Sequence, residues 1–201
     1  DEQTLMKDIA LLKTVGMRPV VVHDTPMGAD KFRENKRIAK LIELCGVKAI
    51  GICGMDLDTL HMALDNDFIP VIVPNDIDNE YELIDPKDAS LEVAVGLKAD
   101  KLVYLSSHRG IWKDVERTKV YPRLTVDEVH QLLDEGKVTE GVISRVERGF
   151  HAVEQGVNRV HLVDGRIPHA LILEFFSKAG VGTIIIKEKD ILYLHELELD
   201  E

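Results

Sequence analysis

VHLVDGRIPHALILEFFSKAGVGTIII, residues Val160–Ile186, is the stretch whose reading decides the fold. Val160, Leu162 and Val163 make a short apolar run of the kind a doubly covered parallel strand shows, and Asp164-Gly165 ends it. Pro168 then opens a helix, because its ring fixes φ where the first turn needs it and the missing N–H has no intrahelical partner to lose. Ala170, Leu171, Leu173, Glu174 and Phe176 continue that helix, and Gly180 and Gly182 stop it. Thr183–Ile186 is β-branched and uninterrupted, which predicts a second strand buried on both faces. The stretch reads as one βαβ unit. Similar alternations recur through the chain and predict an α/β fold with a mostly parallel central sheet.

Working outward, a chain of 201 residues with 45% hydrophobic content can build one substantial core, so a single α/β domain is favoured over two intimate halves. The formal charge of -11 opposes a phosphate backbone and excludes unspecific nucleic-acid binding. No segment reaches the roughly 18 consecutive apolar residues of a membrane helix, and the first residues lack a basic start with an apolar core. A cytoplasmic protein is the expectation. Cys45 and Cys53 lie beside or inside apolar runs and read as buried thiols, not as a disulfide or a metal pair.

Leu5, Ile9, Leu12 and Val15 recur at three- and four-residue spacing and predict a helix ending at Gly16. Val20-Val21-Val22 follows as a buried strand, with the loop His23 to Gly28 at its carboxyl end, where open α/β sheets bind ligands. A helix over about 32–44 and a strand over 47–53 come next, and Gly54-Met55-Asp56 forms a second loop at that edge. A helix over 59–64 and a strand over 69–73 follow. Asp85-Pro86-Lys87-Asp88 is a helix start, with Asp85 as N-cap, Pro86 in the first turn and Asp88 near the positive end of the dipole. The strand over 102–105 carries Ser106, Ser107, His108, Arg109 and Gly110 at its end. Thr125 and Glu128 have capping-box spacing for a helix ending near Gly136, and Thr139 caps another reaching about Gln155. The alternation after Lys187, around Ile191 to Leu194, reads as an edge strand.

The stretches ALLKTVGMRPVVVH, NKRIAKLIELCGVKAIGICG and LKADKLVYLSSHRGIW, with the Val160–Ile186 segment, together resemble the acetylglutamate kinases of the amino-acid kinase family. The closing segment looks like the arginine-regulated, often hexameric branch. The resemblance implies a three-layer αβα sandwich over 1–201, with an acceptor-side half of about 1–84 and a nucleotide-side half of about 85–201. It also implies a homo-oligomer, either dimer or hexamer. Its chemistry would be transfer of the γ-phosphate of ATP, carried with Mg²⁺, to the side-chain carboxylate of N-acetylglutamate in arginine biosynthesis.

Such a transfer asks a protein for positioning and charge neutralisation, so glycine N–H groups, lysines and an organising acid are the residues to check. The family's lysine and paired glycines precede a helix like Thr4 to Val15, which stands at the start of these residues. Where the family has His followed by three glycines and a proline, His23 is followed by Asp24, Thr25 and Pro26. The family's arginine-bearing hairpin has only Met27 to Glu34 in its place. Asp88 matches the organising acid, although the neighbouring asparagines are replaced at Ile84 and Pro86. A serine-aspartate pair reads Ser106-Ser107, and the second catalytic lysine falls at Arg145, whose planar fork does not reproduce a lysine's point charge. Gly141, Asp164, Gly165, Arg166, Gly182 and Thr183 match the family.

The resemblance therefore implies Asp88 and Arg145 as catalytic residues. It implies Ser106, Ser107, Gly110, Asp164, Gly165 and Gly182 on the nucleotide side, and His23 and Gly54 on the acceptor side. Each has a plainer alternative. Asp88 serves equally as a carboxylate at a helix start, and Arg145 as a surface cation. Gly180-Val181-Gly182 serves as a helix stop, Trp112 as packing, and His161 and His169 as internally bonded histidines without metal-ligand spacing. No protein-bound metal is assigned. A catalytically degenerate member acting as a binding, regulatory or assembly subunit, and a natural chain with residues preceding these, are the alternative readings.

Overall fold

The computed structural model describes residues 2–25, 28–75, 84–178 and 180–188, and the chain divides into two compact units, Asp1–Leu97 and Lys98–Glu201. The first contains α1 (Glu2–Thr14), β1 (Val21–Val22), α2 (Lys31–Glu43), β2 (Ala49–Cys53), α3 (Leu57–Asp65), β3 (Ile69–Val73) and α4 (Pro86–Gly96). Its sheet has the order β1-β3-β2, and every pair is parallel. The central strand IPVIV is buried throughout, as expected of a run enclosed between helix layers. On one face Ile72 clusters with Leu60 of α3 and Val93 of α4. Alternation turns Val71 to the other face, where Asn35 of α2 reaches its carbonyl oxygen. Asp30, Asp56 and Asp85 cap α2, α3 and α4 through side-chain bonds to first-turn N–H groups. α4 falls within the first unit, which ends at Leu97.

The second unit contains β4 (Lys101–Ser106), β5 (Arg123–Thr125), α5 (Val126–Asp134), α6 (Glu140–Glu154), β6 (Arg159–Asp164), α7 (Ala170–Phe176) and β7 (Thr183–Ile186). The strand order is β4-β6-β7-β5. Gly149 lets α6 lie close on the sheet, since a Cβ there would stand 3.1 Å from Ile185 and 3.2 Å from Val160. The α/β class with mostly parallel strands holds, with one sheet in each unit.

The segment Val160–Ile186 departs from the βαβ reading in two respects. β6 and β7 are antiparallel, with Leu162 beside Thr183 and Arg159 beside Ile186. α7 has seven residues, a rise of about 10 Å, whereas a six-residue strand runs about 20 Å. The helix is too short to return the chain to the start of β6, so β7 begins near the end of β6 and runs back. Pro168 also lies ahead of the helix, whose N-cap is His169 at φ 58. β5 carries no separate signal in the sequence because it is three residues long and runs straight into the capping box. Contrary to the buried-thiol reading, Cys53 is exposed, because it ends the edge strand β2, and Cys45 is half-buried, because it sits in the turn after α2, where its Sγ donates to Leu41 O at 3.4 Å. The expected edge strand around Ile191 lies outside the described residues. No helix among them is long and apolar enough to cross a membrane.

Candidate functional site

In the first unit the carboxyl ends of β1, β2 and β3 gather polar side chains in an otherwise apolar sheet. His23 follows β1 and is 8% exposed, and its Nε2 lies 3.1 Å from Asn35 Nδ2. Lys31, the first residue of α2, donates to Asn75 Oδ1 at 3.0 Å, and Asn75 Nδ2 donates to Cys53 Sγ at 3.4 Å. Gly54 turns at φ +85 and returns its N–H to Val73 O at 3.1 Å, so the chain leaves β2 tight against β3. Asp24 is exposed and accepts from the Thr25 N–H at 2.8 Å, which stiffens the loop after β1. Asp88 is half-buried in the first turn of α4, three residues after the Asp85 cap.

In the second unit the carboxyl ends of β4 and β6 lie side by side, with Ser106 paired to Asp164. Gly165 N–H donates to Ser106 O at 2.9 Å, joining the two loops. The Ser106 hydroxyl accepts the His108 N–H at 3.1 Å, and Ser107 beside it is exposed. Gly110, at φ +127, lies against Thr183, whose Oγ1 accepts the Ile111 N–H at 3.0 Å. Asp164 accepts from Arg166 N at 3.0 Å, Nε at 2.9 Å and Nη2 at 2.8 Å. The Arg166 guanidinium holds the Asp164 carboxyl below the usual range, outweighing burial, and Arg109 adds a smaller contribution of the same sign.

The start of α6 joins this edge through Gly141. A Cβ on Gly141 would stand 2.6 Å from His108 Nε2, and its carbonyl accepts Arg145 Nη1 at 2.9 Å. Arg145 thus folds back along its helix toward the N-terminus, the direction helical side chains favour. Thr139 caps α6 without a side-chain bond, which leaves first-turn donors to other partners. Asp88 and Arg145 belong to different units.

Gly182 is committed elsewhere. Its N–H donates to Glu174 Oε2 at 3.0 Å and that of Val181 to the same oxygen at 2.8 Å, while Glu174 Oε1 accepts from His161 Nδ1 at 2.7 Å. His161 is therefore internally bonded, as its sequence context suggests. Glu174, Asn35, Lys31 and Asn75 carry no motif that singles them out. Asn75 alone leaves a sequence trace, as a polar residue directly after the apolar run IPVIVP. Among the described residues no group of three or more His, Cys, Asp or Glu side chains could hold a metal ion.

Residues 36–164 match the model of the amino acid kinase family. Acetylglutamate kinase of Halothermothrix orenii is 32% identical over 251 residues, covering 94% of this chain and 86% of the relative. That span exceeds the 201 residues present here, so the relative carries internal segments that this chain lacks. Among solved structures, an N-acetylglutamate synthase from Neisseria gonorrhoeae, complexed with coenzyme A and N-acetyl-glutamate, superposes with a TM-score of 0.78 at 22% identity. It covers 93% of this chain and 56% of that one. Giardia carbamate kinase superposes at 0.71 with 12% identity, covering 92% and 90%. Parallel strands with polar loops collected at their carboxyl ends define the class as an α/β protein. The chain belongs to the amino acid kinase family.

Proposed function

We propose that the chain is an acetylglutamate-kinase-like phosphotransferase that moves the γ-phosphate of ATP to the side-chain carboxylate of N-acetylglutamate in arginine biosynthesis. The observation that carries this reading is the convergence, at one sheet edge, of the 106–110 loop, the Asp164 turn, the α6 N-terminus and Arg145, in a chain 32% identical to an acetylglutamate kinase. The residues present suit a nucleotide phosphate: first-turn N–H groups of α6, the partial positive charge of that helix end, and the Arg145 guanidinium beside it. Bound ATP supplies the phosphoryl group, and Mg²⁺ arrives with it.

In this reading Arg145 steadies the transferring group, and Asp88 serves as an organising acid. Ser106, Ser107 and Gly110 shape the nucleotide side with Asp164 and Gly165. His23 and Gly54 shape the acceptor side. Gly182 supports the site through the backbone, since its N–H is already taken by Glu174. The working form is a cytoplasmic homo-oligomer, dimer or hexamer, with no nucleic acid or membrane partner.

That committed Gly182 N–H, together with Asp24 and Thr25 where glycines are the family pattern, favours a second reading as a binding or regulatory subunit. Isothermal titration separates the two from a non-binder. Heat on adding ATP with Mg²⁺, abolished in Arg145→Ala, is the expected result for the nucleotide site. Absence of heat and of any thermal shift at millimolar nucleotide overturns the phosphotransferase reading and leaves the subunit reading.

A further inference from the structure

The Asn35 side chain, 4% exposed in α2, decides the chemistry of the neighbouring histidine. Asn35 Nδ2 donates to the Val71 carbonyl oxygen at 2.8 Å and lies 3.1 Å from His23 Nε2. A carbonyl oxygen can only accept, so Val71 fixes which end of the amide is the NH₂ group. The second hydrogen of that group then meets His23 Nε2, which must present a lone pair. At the other side of the ring, His23 Nδ1 lies 3.2 Å from the carbonyl oxygen of Asp24, again an acceptor only. Nδ1 must therefore carry the proton of the neutral ring. The two sides of the imidazole are constrained by separate groups and give the same tautomer. Gly51 makes the room for this arrangement, since a Cβ there would lie 2.0 Å from Asn35 Oδ1.

We propose that Asn35 is a positioning residue that selects the Nδ1–H tautomer of His23 and, through it, holds the loop over residues 23–25 at the acceptor-side edge. Both ring nitrogens are engaged inside the protein. His23 then serves an acceptor by fixing the backbone of Asp24 and Thr25, not by offering a ring N–H. This functional consequence rests on the acceptor-side reading of the site, whereas the tautomer does not.

Long-range ¹H–¹⁵N spectra of the histidine ring, taken where the ring is neutral, test the assignment without any substitution. The expected spectrum shows a protonated Nδ1 and a lone pair on Nε2. Asn35→Asp replaces the donor by an acceptor of the same size and is expected to draw the proton to Nε2. Gly51→Ala, which displaces Asn35, is expected to lose the single tautomer. Circular dichroism identifies the variants that remain folded. A wild-type ring protonated on Nε2, or an unchanged ring in a folded Asn35→Asp protein, overturns the proposal. Titration with N-acetylglutamate supplies the functional arm, with binding to Asn35→Asp expected to weaken roughly three- to tenfold, the value of one hydrogen bond. No binding of N-acetylglutamate to the unsubstituted protein defeats the acceptor reading alone, and the spectrum still decides the role of Asn35.

Discussion

Glu174 and His161 are enclosed together, with side chains 1% and 3% exposed, and His161 Nε2 has no hydrogen-bond partner. Burial raises the Glu174 carboxyl, but the hydrogen bond and charge of His161 and the N–H groups of Val181 and Gly182 outweigh it, leaving the pKa below its ordinary 4.5. A depressed folded-state pKa stabilises fully above the range where an unfolded glutamate titrates. That stabilisation is lost as pH falls through the depressed value. Denaturant unfolding measured across the acid range is expected to show this loss below the ordinary glutamate range. Glu174→Gln, which cannot titrate, should flatten that limb, and an unchanged acid limb would count against the assignment. Gly110 supports a second prediction. Its φ of +127 and the 2.4 Å separation between an added Cβ and Thr183 Oγ1 make Gly110→Ala costly, by roughly 1–3 kcal/mol. Thermal unfolding reads the loss, and a variant as stable as the parent would show that the loop has another accessible conformation.

The helices of the second unit differ in how their ends are secured. α5 has a complete capping box, in which Thr125 Oγ1 accepts the Glu128 N–H at 3.2 Å and Glu128 Oε2 accepts the Thr125 N–H at 2.8 Å. Thr125→Ala should destabilise the unit by about 1 kcal/mol, the usual value of an N-cap, as read from a denaturant midpoint shift at constant slope. α6 lacks a side-chain bond at its cap, so Thr139→Ala should cost clearly less in the same measurement. Equal losses for the two variants would overturn the distinction. The start of α6 without that bond is the one beside His108 and Arg145, which the proposed function uses.

Across the whole molecule, phosphoryl transfer depends on the number of fixed donors facing the transferring group. In the proposed function glycines of the family pattern are replaced at Asp24 and Thr25 and a lysine at Arg145, and the Gly182 N–H is bonded to Glu174. Each missing preorganised donor costs roughly 3 to 4 kcal/mol of transition-state stabilisation, so two or three losses slow turnover by several orders of magnitude. A coupled ADP-release assay with N-acetylglutamate is expected to show weak or absent turnover even where ATP binds. Robust turnover surviving both Asp88→Asn and Arg145→Ala would refute the site assignment. Robust turnover abolished by either would keep the site and refute the expectation of weak chemistry.

The sequence by itself determined where most elements lie, because their causes are local. A capping box spans four residues, Pro86 follows its N-cap directly, and a run such as IPVIV declares two buried faces through its own composition. The loops at strand ends were legible for the same reason. Only the tertiary structure decided the direction of β7, since a β-branched run pairs equally well either way and the short α7 settled the matter. It alone joined Asn35 to His23 and His161 to Glu174, residues 12 and 13 apart in the chain. Hydrogen bonds across packed elements depend on where two surfaces meet, and no local propensity specifies that meeting.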